Sequence, residues 1–99
     1  MIAADSDITL AHRLIRTHLP PAMADLVLFG SRARGTARRF SDVDVAIRPK
    51  QPLPPGLLAE LREALTQSNL LIEVDLIDWN EADDALRASI EQEGIPWND

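Results

Sequence analysis

Residues 28–47 read LFGSRARGTARRFSDVDVAI, from Leu28 to Ile47, and the fold follows from how this stretch is parsed. The apolar run Asp25-Leu26-Val27-Leu28-Phe29 leads into it and is bounded by turn residues, which predicts a buried strand. Gly30-Ser31 closes that strand. Ser31 to Arg34 predicts one turn of a short helix, and Gly35 lets the chain leave it. Thr36 to Ser41 reads as loop, and Asp42 to Arg48 as a second strand. Side chains alternate along a strand, so Val43, Val45 and Ile47 share one face while Asp42, Asp44 and Ala46 share the other. Two parallel carboxylates beside a turn with free backbone N–H groups suit a divalent metal that holds a triphosphate.

Outward from this centre, the chain reads as support. Ile8, Ala11, Leu14, Ile15 and Leu19 recur at helical spacing, with Asp5-Ser6-Asp7 as candidate caps and Pro20-Pro21 as the stop. This predicts a helix over residues 8–18. The prolines at 49, 52, 54 and 55 form a stiff connector, followed by an amphipathic helix over 56–68 with Leu57, Leu58, Leu61 and Leu65 on one stripe. Leu70 to Ile77 predicts a third strand, with Glu73, Asp75 and Ile77 on one face. Asn80 is the candidate cap of a last helix, with Glu81, Asp83 and Asp84 suited to its dipole and Gly94 as its terminator. The expected architecture is one α/β (α+β) domain over residues 1–99, a mixed three-strand sheet with helices packed over one face.

Composition narrows the class. The chain has 99 residues, enough for a single core, and its 45% hydrophobic and 26% charged content argues against disorder. It has no cysteine, which removes disulfides and thiolate metal sites. The first residues, MIAADSD, carry neither a basic nor an apolar segment, and no apolar run reaches membrane-spanning length, so a cytoplasmic protein is expected. The net charge of −6 argues against direct nucleic-acid binding by bulk charge. Arg32, Arg34, Arg38, Arg39, Arg48 and Lys50 cluster locally, which fits a small anionic ligand. Of these, Arg38, Arg39 and Arg48 read as a solvated face. His12 and His18 read as surface histidines. Trp79 and Trp97 read as packing residues at the core or its edge.

The candidate site residues divide by chemistry. Gly30 and Ser31 offer anion donors at a helix start, and Arg32 or Arg34 could fork onto a phosphate. Asp42 and Asp44 are hard oxygen ligands of the kind Mg²⁺ takes. Asp75 lies between Val74 and Leu76 in a later apolar strand, where an acid needs a partner, and a shared metal would supply one.

Gly30-Ser31-Arg32-Ala33-Arg34-Gly35, followed by Ser41-Asp42-Val43-Asp44, resembles the signature of the DNA-polymerase-β-like nucleotidyltransferase superfamily. More narrowly, it resembles the minimal nucleotidyltransferase (MNT) proteins, the MntA-type antitoxins paired with HEPN-domain toxins. The resemblance runs through Val74-Asp75-Leu76 to Glu93-Gly94. It implies a polymerase-β-like core, ATP as substrate, a Gly-Ser turn that holds the triphosphate, and magnesium bound by Asp42, Asp44 and Asp75. It also implies an activity, the transfer of AMP to a tyrosine hydroxyl of a partner HEPN ribonuclease. A binding-only antitoxin, or transfer to a small molecule or RNA, are the alternatives. The acidic last third, through Glu91, Glu93 and Asp99, is a candidate docking face for a basic partner.

Overall fold

Pro20 stops the first helix and turns the chain into the sheet. The computed structural model describes residues 3–38 and 41–97. Helix α1 spans Ala3–His18. Its inward stripe includes Ala11 and Ile15, both fully buried, and Leu19 just beyond the last turn. Arg16 Nη1 donates to the carbonyls of Leu19 (3.2 Å) and Ala24 (2.9 Å), which fastens the helix end to the first strand.

Strand β1 (Ala24–Phe29) is antiparallel to β2 (Val43–Pro49), and β2 is parallel to β3 (Val74–Asp78). A parallel pair needs a long crossover, which the proline connector and helix α3 (Leu57–Gln67) provide. Between β1 and β2 stands the single turn α2 (Ser31–Arg34), closed by Gly35 at φ +77°. After β3 come a 3₁₀ turn (Trp79–Glu81), helix α4 (Asp84–Glu93) and a two-residue strand, β4 (Ile95–Pro96).

The sheet order is β3-β2-β1-β4, so it has four strands where three were expected. Strand β4 pairs antiparallel with β1, Leu28 opposite Ile95. A two-residue strand containing a proline has no alternating pattern, so only its pairing identifies it.

The core lies on one face of the sheet. Ile15, Leu19, Leu26, Val43, Val45, Ile47 and Leu61 are buried there, with Leu65, Ile72 and Leu76 alongside. Each such side chain contributes roughly 1.5–3 kcal/mol relative to exposure. Helices α1 and α3 cover this face as expected. Helix α4 lies across the opposite one. Its buried Ile90 and the following Gly94 sit over Val27, which alternates away from Leu26 and Leu28. A Cβ at Gly94 would overlap Val27 Cγ1 and the Ile90 carbonyl oxygen. The glycine is there for this close approach and not for a left-handed turn, since its φ is −69°.

Two cap assignments change. Asp5, Ser6 and Asp7 fall inside α1, which begins earlier than expected. Asp7 is 7% exposed, and its Oδ2 accepts from the Leu71 amide at 3.2 Å, tying α1 to the segment before β3. That segment, residues 70–73, is outside the strand. Asn80 does not cap α4. Asp83 does, accepting from Leu86 N at 2.8 Å, while Asp78 Oδ1 takes Asn80 N at 2.9 Å.

Candidate active site

The acids stand in a row across the sheet. Phe29 is the register partner of Asp44, and Asp44 is the register partner of Asp75. Paired residues on neighbouring strands project to the same face. From β1 to the sheet edge, the order is therefore the Gly30 turn, Asp44, then Asp75. Asp42 precedes Asp44 by two residues at the mouth of β2. This is the face that α4 covers farther along the strands.

The turn after β1 is pressed against Asp44. Gly30 has φ +74° and ψ −153°, a region open essentially to glycine, and a Cβ there would overlap Asp44 Oδ2. Ala33 N and Arg34 N both donate to Gly30 O at 3.1 Å. The amides of Ser31 and Arg32 head this turn, at the place where helical N–H groups lack partners of their own helix. Ser31 makes no side-chain cap; Gly30 is the N-cap residue.

The charges of the neighbouring acids act on Asp44. Asp44 is half-buried, and its carboxyl is held above its ordinary range. Burial contributes most, then the charge of Asp75, then that of Asp42; Arg34 acts in the opposite direction. Like charges gathered around a partly desolvated carboxylate are the donor set a hard divalent cation takes. Among the described residues, no group of three or more His, Cys, Asp or Glu side chains stands close enough together to hold a metal ion. Asp42 and Asp75 are exposed.

The two candidate arginines separate. Arg32 Nη2 donates to Ser41 O at 2.7 Å, and Ser41 Oγ accepts from Arg38 N at 2.8 Å. Arg32 thus braces the loop that delivers Asp42. Arg34 instead donates from Nη1 to both carboxylate oxygens of Glu93, each at 3.2 Å. Sequence reasoning had no signal for this pair. Glu93 lies 59 residues away, and in the sequence it reads as a docking acid. Glu91 is also matched internally, 3.9 Å from Arg48. Asp99 and Arg39 lie outside the described residues. Two of the three candidate docking acids thus already stand beside cations of this chain. Arg48 is more than solvated, since its guanidinium lies 4.4 Å from the Trp79 ring centroid. Trp97 packs on the core and meets the His12 ring edge-on at 4.8 Å, while His12 Nε2 lies 3.1 Å from Trp97 O.

Beside Asp75, at the free edge of β3, a cleft of about 470 Å³ opens between β3 and α3, walled in part by Leu65, Leu70 and Ile72. Among the described residues, no helix is long and apolar enough to cross a membrane.

Known proteins share this fold. The chain is 38% identical over 68 residues to the probable protein adenylyltransferase MntA of Haemophilus influenzae, a match covering 67% of this chain and 60% of that protein. The chain thus spans about 60% of the length of this curated relative. Its fold superposes on a toxin–antitoxin crystal structure with AMP-PNP at a TM-score of 0.69 and 30% identity, over 95% of this chain and 73% of that one. A second superposition, at 0.67 and 25% identity, is with a complex of tri-AMPylated Shewanella oneidensis HEPN toxin and MNT antitoxin, over 97% and 73% of the two chains. Residues 15–96 match the family described as polymerase beta, nucleotidyltransferase, and the chain belongs to that family.

Proposed function

We propose that this protein is a minimal nucleotidyltransferase, one domain over residues 1–99, that moves AMP from ATP to a tyrosine hydroxyl of a HEPN-type ribonuclease toxin and thereby neutralises it. The observation that carries the reading is the row formed by the Gly30 turn, Asp44 and Asp75 on one sheet face. The names of the relatives support the nucleotide, the partner and the antitoxin role.

In this reading the triphosphate lies on the amides of Gly30 and Ser31, with Arg34 at its flank. Asp42, Asp44 and Asp75 would hold magnesium, which when bound supplies positive charge to the phosphates and acidity to the acceptor hydroxyl. The acceptor oxygen bonds to the α-phosphorus, the bond to the bridging oxygen breaks, and pyrophosphate leaves with that electron pair. Asp75, outermost in the row, is placed to take the hydroxyl proton. The acceptor enters over the free edge of β3, because the opposite side is closed by the Gly30 turn. The reaction belongs to the cytoplasm, where ATP and the ribonuclease meet.

The test is to incubate the protein with Mg²⁺, labelled ATP and the HEPN-type partner, then weigh the partner. Mass gained in AMP units supports transfer, and D42N/D44N should abolish it while leaving the fold intact. A stable complex with no added mass would replace transfer by simple occlusion.

A further inference from the structure

Arg34 has a partner that only the tertiary fold supplies. It is the last residue of α2, directly before the left-handed Gly35, and its long side chain is about half exposed. Two sources of negative charge lie within its influence. One is Asp44, flanked by Asp42 and Asp75, whose carboxyl already feels the Arg34 charge. The other is Glu93, in the last turn of α4. The side chain takes Glu93, with Nη1 3.2 Å from both Oε1 and Oε2. Among the bonds of the described residues, Arg34 uses Nη1 alone, which leaves Nη2 and Nε as donors.

Glu93 is well placed to hold it. The turn of α4 that carries Glu93 is anchored by Ile90, 1% exposed, and by Gly94, whose amide donates to Ile90 O at 2.7 Å and which sits against Val27. The carboxylate is therefore mounted on a fixed element, whereas α2 is a single turn. An exposed ion pair adds little to stability. Its use lies in where it leaves the cation.

We propose that Glu93 is the positioning residue for Arg34, holding the guanidinium at the flank of the site and out of a direct ion pair with the carboxylate of Asp44. Two consequences follow from the charge pattern. With Glu93 present, the free donors of Arg34 face an incoming phosphate, and Asp44 stays available to a divalent cation. Without Glu93, the three acids draw Arg34 onto Asp44, where it neutralises the carboxylate and withdraws a phosphate ligand at once. The inference rests on the nucleotidyltransferase reading above, and it assigns to Glu93 a part in nucleotide affinity that its distance along the chain conceals.

Calorimetric titration with magnesium and AMP-PNP tests it, on the wild type, E93A, E93D, R34A, the E93A/R34A double variant and D42N/D44N, with a thermal melt of each. E93A should weaken AMP-PNP binding by roughly tenfold, the size expected for misplacing one charge-assisted bond, and shift Tm by no more than about 2 °C. E93D should recover part of the loss. In the R34A background, E93A should cost nothing further, because its effect passes through Arg34. E93A binding as tightly as wild type, or losses from E93A and R34A that simply add, would overturn the proposal. Should E93A fold poorly, E93Q gives the same reading with the side-chain volume kept. If D42N/D44N loses AMP-PNP while E93A and E93Q retain it, this inference fails and the functional reading stands. If the wild type itself does not bind AMP-PNP, both fail.

Discussion

Asp44 on β2 and Asp75 on β3 are direct register partners across a parallel strand pair, so two acids stand side by side on one face of a four-stranded sheet. Like charges at this spacing repel, and burial of Asp44 adds to the cost of its ionised form. The folded protein therefore holds the Asp44 carboxyl above its ordinary value of 3.8. In the window between that value and the raised one, the folded state binds more protons than the unfolded state. Stability contributed by this group is present at lower pH and is lost as pH rises through the folded value. D44N should thus melt higher than wild type at neutral pH, with the difference shrinking below the window. Magnesium should raise the wild-type Tm and leave that of D44N nearly unmoved. Melting curves from acid to neutral pH, with and without Mg²⁺, check both points.

Gly30→Ala should damage the site and the fold together. The backbone there is at φ +74°, and the added methyl would overlap Asp44 Oδ2. The conformation costs roughly 1–3 kcal/mol for an L-residue, before the displaced carboxylate is counted. A drop in Tm together with loss of AMP-PNP binding is the expected result. Gly35→Ala is the control. Its φ is +77° but nothing lies within 4 Å of the new methyl, so it should lose stability while AMP-PNP affinity falls far less.

Gly94→Ala should destabilise by about 1–3 kcal/mol through overpacking alone. Its methyl meets Val27 Cγ1 and the backbone oxygen of Ile90, neither of which can retreat cheaply. Urea unfolding should show an earlier midpoint with an unchanged slope. The double variant G94A/V27A, which removes the obstructing methyl, should recover part of the loss.

Arg32→Lys and Arg32→Ala should separate loop geometry from phosphate charge. Arg32 Nη2 holds Ser41 O at 2.7 Å, and Ser41 is the residue before Asp42. If bracing is the role, lysine cannot replace the planar guanidinium, so both variants should lose transfer activity to a similar degree despite the retained charge. Thermal stability should change little in either. Activity and melting temperature measured on the same preparations decide it.

Local chemistry made much of this protein legible in its sequence. The apolar run from Asp25 to Phe29, bounded by turn residues, marks one strand, and alternation from Asp42 to Arg48 marks the next and puts Asp42 and Asp44 on one face. Gly30 and Gly35 bracket α2 because the chain must take positive φ at both. These features depend on neighbours a few residues away. What depends on distant chain did not show. Asp78, Asn80 and Asp83 are all able to cap a helix, and only the position of α4 on the second face of the sheet selects Asp83. Asp7 reads as a cap until the amide of Leu71 is brought to it. Strand β4 exists because β1 offers it an open edge. The pairing of Asp44 with Asp75, and of Arg34 with Glu93, needs residues 31 and 59 positions apart in the chain to meet, and no periodicity encodes such meetings. By itself the sequence determined the strands, the turns between them and the candidate groups, because these depend on near neighbours; the packing of α4 and the order of the strands decided which of those groups meet.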